Sequence, residues 1–336
     1  AGSLDRLRKL SEPLPEPRSG EARVRVKAVG LNFADIFACL GMYSATPKGS
    51  FVPGLEFAGV VEALGPSTST TLEAGDGVIG LTRFGAYATA LNAHVRALRP
   101  VPEGWSFAEA AAYPVQGLTA WYGLVELGAL ARHDVVLVHS AAGGVGLNAL
   151  QILKAYDARV VATVGREGKR EFLVGRCGLS PDQVIVRDRR TFGAQLDRAL
   201  TSLNAKGFDV VFDAVAGPFL LPAYDRLRPE GRLVVYGAAD FMPPGARPNR
   251  LRLGLRYLRR PRIDPLRMMS ENRSVMAFNL IWLWEQADRL PKAYDALDAV
   301  IRTPPFVGRG FSFDEAPAAM RYLQSGESMG KVVLEV

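Results

Sequence analysis

Cysteine is scarce in this chain: of 336 residues only Cys39 and Cys177 are cysteines, and they stand far apart. That excludes a disulfide-stapled scaffold and any cysteine-based metal cluster, and it fits a reducing, cytoplasmic setting. The three histidines, His94, His133 and His139, show no ligand-like spacing either. No apolar run approaches the ~20 residues that a membrane-spanning helix needs. The longest candidate, MAFNLIWLW at 276–284, is too short and contains Asn279. No transmembrane segment is therefore expected, and the opening AGSLDRLRKL itself lacks the apolar core of a signal peptide. Acid is missing from one long stretch: between Asp240 and Asp264 there are seven arginines and no carboxylate. That segment accounts for the whole formal charge of +7. Leu251, Leu255 and Leu258 recur in it at helical spacing with arginines on the other side, the pattern of a solvated surface helix. Such a stripe also attracts phosphate-bearing partners or a membrane surface.

What is present changes rhythm along the chain. From about residue 20 to 100, ARVRVKAVG, FAGVVEALG, DGVIGL and YATALNAHV alternate apolar and polar residues between Gly, Pro, Ser and Thr, which predicts β strands. From about 105, FAEAAAYPVQGLTAWYGLVEL predicts helix, broken at Pro114. Strand-like runs then follow at intervals: DVVLVH, RVVATV, QVIV, FDVVFDAV and RLVVYG, mostly separated by helical stretches. Strands so spaced need crossovers, and so a parallel sheet covered on both faces. The tail returns to helix and strand, ending in GKVVLEV. The expected fold is α/β: a doubly wound parallel domain, residues 118–280, inserted into a β-rich domain built from residues 1–117 and 281–336.

HSAAGGVGLNALQ, residues 139–151, sits where a strand meets a helix. Ala141-x-Gly143-x-x-Gly146 is the dinucleotide fingerprint with alanine in its first slot. Glycine lets backbone approach a pyrophosphate, and the helix start supplies free N–H groups and a favourable dipole. Ser140, Ala141, Gly143, Gly144, Val145 and Gly146 are therefore candidate cofactor residues. An NAD site places an acid at the end of the second strand. Here that strand runs into Gly165, Arg166, Glu167, Gly168, Lys169 and Arg170. Glycine in the acid's slot, with Arg166 and Lys169 beyond it, favours NADPH over NADH.

These pieces carry a resemblance. PEPRSGEARVRVKAVGLNFADI, VPGLEFAGVVEALG, EAAAYPVQGLTAWYGL, VHSAAGGVG and GKVVLEV together resemble the medium-chain dehydrogenase/reductases of the zinc-independent quinone oxidoreductase group. GLNFAD and RIDPLRMMSENRSVMAFNL look most like the vesicle amine transport protein homologues. The glycine loop and GMY are similar to enoyl reductase domains of polyketide and fatty acid synthases. The resemblance implies a Rossmann domain inserted in a GroES-like domain, covering nearly the whole chain. In zinc-dependent relatives a ligand cysteine falls at Asn32 and a ligand histidine at Leu55, beside Glu56, so no zinc is expected here.

Without a Lewis acid, conjugated acceptors are the easier substrates, because the charge of a hydride added at the β carbon spreads over an enolate. The resemblance implies Asn32 and Tyr43 in the catalytic pocket with Phe278, and Tyr43 is placed to donate a proton or hydrogen bond. Asp35 is expected to cap a helix at Ile36. Thr119 is expected near the nicotinamide, and Thr163, Tyr236, Gly237 and Lys331 complete the expected cofactor residues. The expected function is NADPH-dependent reduction of an enone or enoyl thioester, with acyl-CoA ahead of a free quinone. The alternatives are a quinone reductase and a nucleotide-binding protein at vesicle or lipid surfaces. A homodimer is expected through SVMAFNL, and no nucleic-acid partner.

Overall fold

The computed structural model describes residues 1–285 and 289–336. Residues 286–288, within the expected C-terminal part of the β-rich domain, lie outside the described residues. The first strands are β1 (Glu21–Gly30), β2 (Glu56–Leu64), β3 (Gly77–Leu81), β4 (Ala90–His94) and β5 (Leu98–Pro100). The alternation in ARVRV works as a half-buried strand should: Val24 and Val26 are sealed in a core, while Arg25 points out to Glu62.

The middle of the chain adds β6 (Val135–His139), β7 (Arg159–Val164), β8 (Val184–Val186), β9 (Phe208–Asp213), β10 (Leu227–Val235) and β11 (Ser274–Ala277). The tail supplies β12 (Val307–Ser312) and β13 (Lys331–Glu335). In the first sheet the tail strands pair with the N-terminal ones, in the order β12-β13-β1-β2-β3-β5, with β4 also on β1. The second sheet is six-stranded and parallel, in the order β11-β10-β9-β6-β7-β8.

Every residue of β6 is buried, which the unbroken run VVLVH requires of a central strand covered on two faces. Val136 and Val138 join one hydrophobic cluster, and Val135 and Leu137 join another on the opposite face. Each such side chain contributes about 1.5–3 kcal/mol on burial. The first cluster also takes in Ala28, Ala58, Ile79 and Leu81 of the first sheet, so one continuous core joins the two sheets.

The helical segment breaks where expected: one helix, Phe107–Ala111, ends before Pro114, and Pro114 opens a second, Pro114–Trp121. A proline in the first turn loses no hydrogen bond, since that N–H has no intrahelical acceptor.

The arginine-rich segment is the exposed surface helix that its pattern predicts. It forms the helix Arg250–Leu258, and none of its residues is buried. Leu251 is 77% and Leu258 66% exposed, so the apolar stripe faces away from any core. The helix is tied down instead by Arg256, which bonds the backbone carbonyl of Asp240. Helical spacing shows that leucines share a face, but not that a core lies against it. Among the described residues, no helix is long and apolar enough to cross a membrane.

Candidate active site

A cavity of about 760 Å³ lies between the two sheets, where the C-terminal ends of β6, β7 and β10 face the helices that begin at Phe33 and Pro114. The carboxyl ends of parallel strands are where an open α/β sheet leaves its crevice. Ser140, Gly143, Gly144, Val145 and Gly146 line it. Ser140 takes a left-handed φ of 54°, which turns the chain sharply out of β6.

Two glycines here have steric reasons. A Cβ on Gly144 would fall 1.7 Å from Gln116 Oε1, and one on Gly146 would fall 2.5 Å from Ala141 Cα. The first lets the neighbouring helix approach, and the second lets the helix Gly144–Ala155 pack on its own strand. The loop is fastened to the first sheet's tail, because Gly330 N–H donates to the Ala142 carbonyl at 2.8 Å.

At the end of β7 the cavity wall is cationic. Lys169 and Arg187 line it beside Gly165, and Arg187 Nη2 would lie 3.7 Å from a Cβ placed there. Burial, then repulsion from Arg166 and Arg187, lowers the Lys169 pKa to about 8. Burial also lowers Arg187, to about 10. Arg187 donates to Thr163 Oγ1 at 2.9 Å, and that hydroxyl is 3.0 Å from His139 Nδ1. Burial holds His139 at about 4, so its ring is neutral. Lys169 is answered by Glu327 and Arg187 by Asp213, yet burial and mutual repulsion still disfavour both charges, a setting that favours an incoming anion.

Four residues expected at the cofactor do not line the cavity. Ala141 is buried beneath the glycine turn, and Thr163 lies under Arg187, which it orients. Arg166 turns to the Glu327 carbonyl at 2.6 Å and to its carboxylate at 3.4 Å. Lys331 is buried with its ammonium on Glu56 and, at 2.9 Å, on Asn32 Oδ1. The cation that sequence reasoning missed is Arg187, whose only signal was an arginine directly after the strand QVIV.

At the other end, Asn32, Tyr43, Thr119, Tyr236, Gly237 and Phe278 line the cavity as expected, joined by Asn279. The Asn32 amide is engaged at both ends. Its Oδ1 accepts from Lys331, while its Nδ2 donates to Glu56 at 2.8 Å and toward the Gly30 carbonyl at 3.3 Å. It braces the cavity wall through these bonds. Asp35 sits in the first turn of the helix Phe33–Cys39, and its carboxylate accepts the Asn32 N–H at 2.8 Å. It therefore reaches back to the residue before the helix, and does not itself cap the helix at Ile36. Burial raises the Asp35 carboxyl to about 7.

The Tyr43 hydroxyl donates to Asn279 Oδ1 at 2.7 Å, and burial raises its pKa to about 12. It therefore stays protonated as a donor across the physiological range. Asn279 keeps its NH2 for a second acceptor, since no protein partner takes it among the described residues. Thr119 Oγ1 donates to the Val115 carbonyl at 2.6 Å. Tyr236 stacks on Phe212 at 4.1 Å, while Phe278 packs edge-on against Tyr122 at 4.9 Å.

The residues fit a phosphorylated dinucleotide. A helix N-terminus opens on the cavity behind side-chain-free glycines, two cations flank the acid-free strand end, and Gln116 Oε1 is buried with no partner. No group of three or more His, Cys, Asp or Glu residues able to hold a metal occurs among the described residues.

The comparisons agree with this architecture. Residues 18–122 match the alcohol dehydrogenase GroES-like domain, and residues 179–334 match the zinc-binding dehydrogenase model. The synaptic vesicle membrane protein VAT-1 homolog of Danio rerio is 32% identical over 99% of this chain and 68% of its own length. The CurK enoyl reductase superposes with a TM-score of 0.79 at 28% identity, covering 99% of this chain and 96% of that one. The quinone oxidoreductase of Thermus thermophilus, solved also with NADPH, gives 0.74 at 30% identity, covering 97% and 95%.

Proposed function

We propose that this chain, which belongs to the medium-chain dehydrogenase/reductase family in its quinone oxidoreductase-like group, is an NADPH-dependent reductase of conjugated carbonyl compounds. The observation that carries the reading is the arrangement along one cavity. Cationic Lys169 and Arg187 stand beside the glycine loop at one end, and the protonated Tyr43 hydroxyl with the Asn279 amide stands at the other.

When bound, NADPH supplies a hydride. Gly144 and Val145, in the first turn of the helix, would bring free backbone N–H groups to its pyrophosphate, while Lys169 and Arg187 would hold the 2′-phosphate. Thr119 and Tyr236 wall the nicotinamide end. Asn279 presents its NH2 to a substrate carbonyl, where charge develops as the β carbon is reduced, and the Tyr43 hydroxyl adds a second donor on turning from Asn279 Oδ1 to that oxygen. A donor that keeps its proton to about pH 12 stabilises an enolate without being consumed by solvent. Lys331, Glu56 and Asp35 act behind the wall, holding Asn32 and the start of its helix in place.

An α,β-unsaturated thioester of the acyl-CoA type is the proposed substrate. Free quinone is the second reading, favoured by the Thermus thermophilus neighbour. Following NADPH oxidation with an enoyl-CoA, a short enone and a benzoquinone tests the proposal. Stoichiometric saturation of the enoyl ester supports it. Turnover of the quinone alone moves the assignment to the second reading. NADPH binding without turnover of any of them overturns the reductase.

A further inference from the structure

A second cavity, of about 540 Å³, lies between the helix Arg250–Leu258 and the ends of β8, β9 and β10. Its wall holds five arginines, Arg189, Arg252, Arg256, Arg259 and Arg260, against one carboxylate, Asp240. Asp240 is already engaged: Arg189 Nη2 lies 3.2 Å from one of its oxygens and Arg256 Nε lies 3.9 Å from the other. It is wedged against Gly217, where a Cβ would fall 2.6 Å from its Cγ. Arg260 lies over the Tyr257 ring at 3.8 Å and donates to the Tyr257 carbonyl at 2.9 Å. Arg252 and Arg259 have no carboxylate partner among the described residues. Positive charge has thus been gathered into a concavity and left largely unanswered, an arrangement whose repulsion a polyanion relieves.

The place of this cavity suggests its occupant. Phe241 lines both it and the main cavity, so the Asp240–Phe241 segment is a ridge between the two. A substrate whose reacting end lies by Tyr43 and whose tail crosses this ridge would set that tail among the arginines. The cofactor's own phosphates are accommodated elsewhere, at the glycine loop and at Lys169 and Arg187. A bilayer presents a flat sheet of headgroups, which suits a concave arginine wall less well than a compact cluster of phosphates does.

We propose that this second cavity binds the phosphates of a thioester's nucleotide handle, the diphosphate and ribose 3′-phosphate of coenzyme A. The inference rests on the thioester reading above, and its test separates the two. The variant is Arg252→Glu with Arg259→Glu, both exposed and without ion-pair partners among the described residues, so the fold should be unaffected. Calorimetric titration of the NADPH-saturated protein with adenosine 3′,5′-bisphosphate should show binding that weakens at least about tenfold in the variant. In turnover, KM for crotonyl-CoA should rise by a similar factor. KM for the N-acetylcysteamine thioester, which carries no phosphate, and kcat for both should stay unchanged.

If neither thioester is reduced, the substrate reading fails while the bisphosphate titration still judges the cavity. Absence of bisphosphate binding, or equal binding by both proteins, overturns the inference. Loss of binding to phosphatidylserine vesicles with bisphosphate binding unaltered also overturns it, and makes the arginines a membrane contact.

Discussion

Lys169 offers the most quantitative test of the cofactor site. Its pKa stands near 8 because burial and two neighbouring guanidiniums disfavour its charge. A bound 2′-phosphate reverses that balance and draws the proton back, so binding and protonation are linked. The sign follows. Below about pH 8 the ammonium is already charged and affinity is full; above it, binding must take up a proton, and affinity falls by up to about tenfold per pH unit. At the acid side the phosphate loses its second charge near its own pKa of about 6. The preference for NADPH over NADH should therefore peak between about pH 6 and 8, and NADH affinity should show neither limb. A charged hydrogen bond contributes about 1.5–3 kcal/mol, so Lys169→Ala or Arg187→Ala should each weaken NADPH binding by roughly 10- to 150-fold. The double variant should lose less than the product, because the two groups share one phosphate. Lys169→Arg should keep the affinity and abolish its decline above pH 8. Fluorescence titration with both cofactors across pH measures all of this. A flat NADPH profile from pH 7 to 10, or equal losses for NADPH and NADH, would refute the assignment.

Tyr43→Phe should lower kcat by about 10²–10³-fold with little change in NADPH affinity, as removal of one donor to a developing oxyanion does; steady-state kinetics with a short enone reads it, and an unchanged kcat would move the role elsewhere. Asp35 has a folded-state pKa of about 7 against an ordinary 3.8, so its contribution is present below about pH 4 and is lost as pH rises toward 7. Asp35→Asn should therefore gain stability relative to the parent as pH rises through that window, with a constant difference above it, seen in urea melts at pH 4, 6 and 8. We further expect a homodimer through β11, the outer strand of the parallel sheet. Sedimentation equilibrium at micromolar concentration should give twice the monomer mass, Met276→Lys should lower it, and a monomeric parent would rule the dimer out.

Much of the nucleotide half was legible in the chain because its logic is local. An apolar run, a glycine turn and a helix start lie within about twenty consecutive residues, and backbone sterics alone make that segment a phosphate-sized cradle. The texture of alternating strands giving way to buried parallel ones was legible for the same reason, since side-chain period follows burial on one face or two. What local pattern could not supply was pairing.

Arg187 comes to lie beside Gly165 only because β8 pairs with β7, and Tyr43 meets Asn279 across 236 residues of sequence. Asn32 read as a catalytic candidate, and only the fold shows Lys331 and Glu56 at the two ends of its amide. The segment Arg250–Leu258 read as a solvated surface helix, but only the tertiary structure shows its arginines gathered around a cavity. A side chain's neighbours along the chain determine its backbone conformation and its face. Its charge state, its free hydrogen-bonding atoms and its exposure depend on what the topology packs against it, and those decide which residues can act.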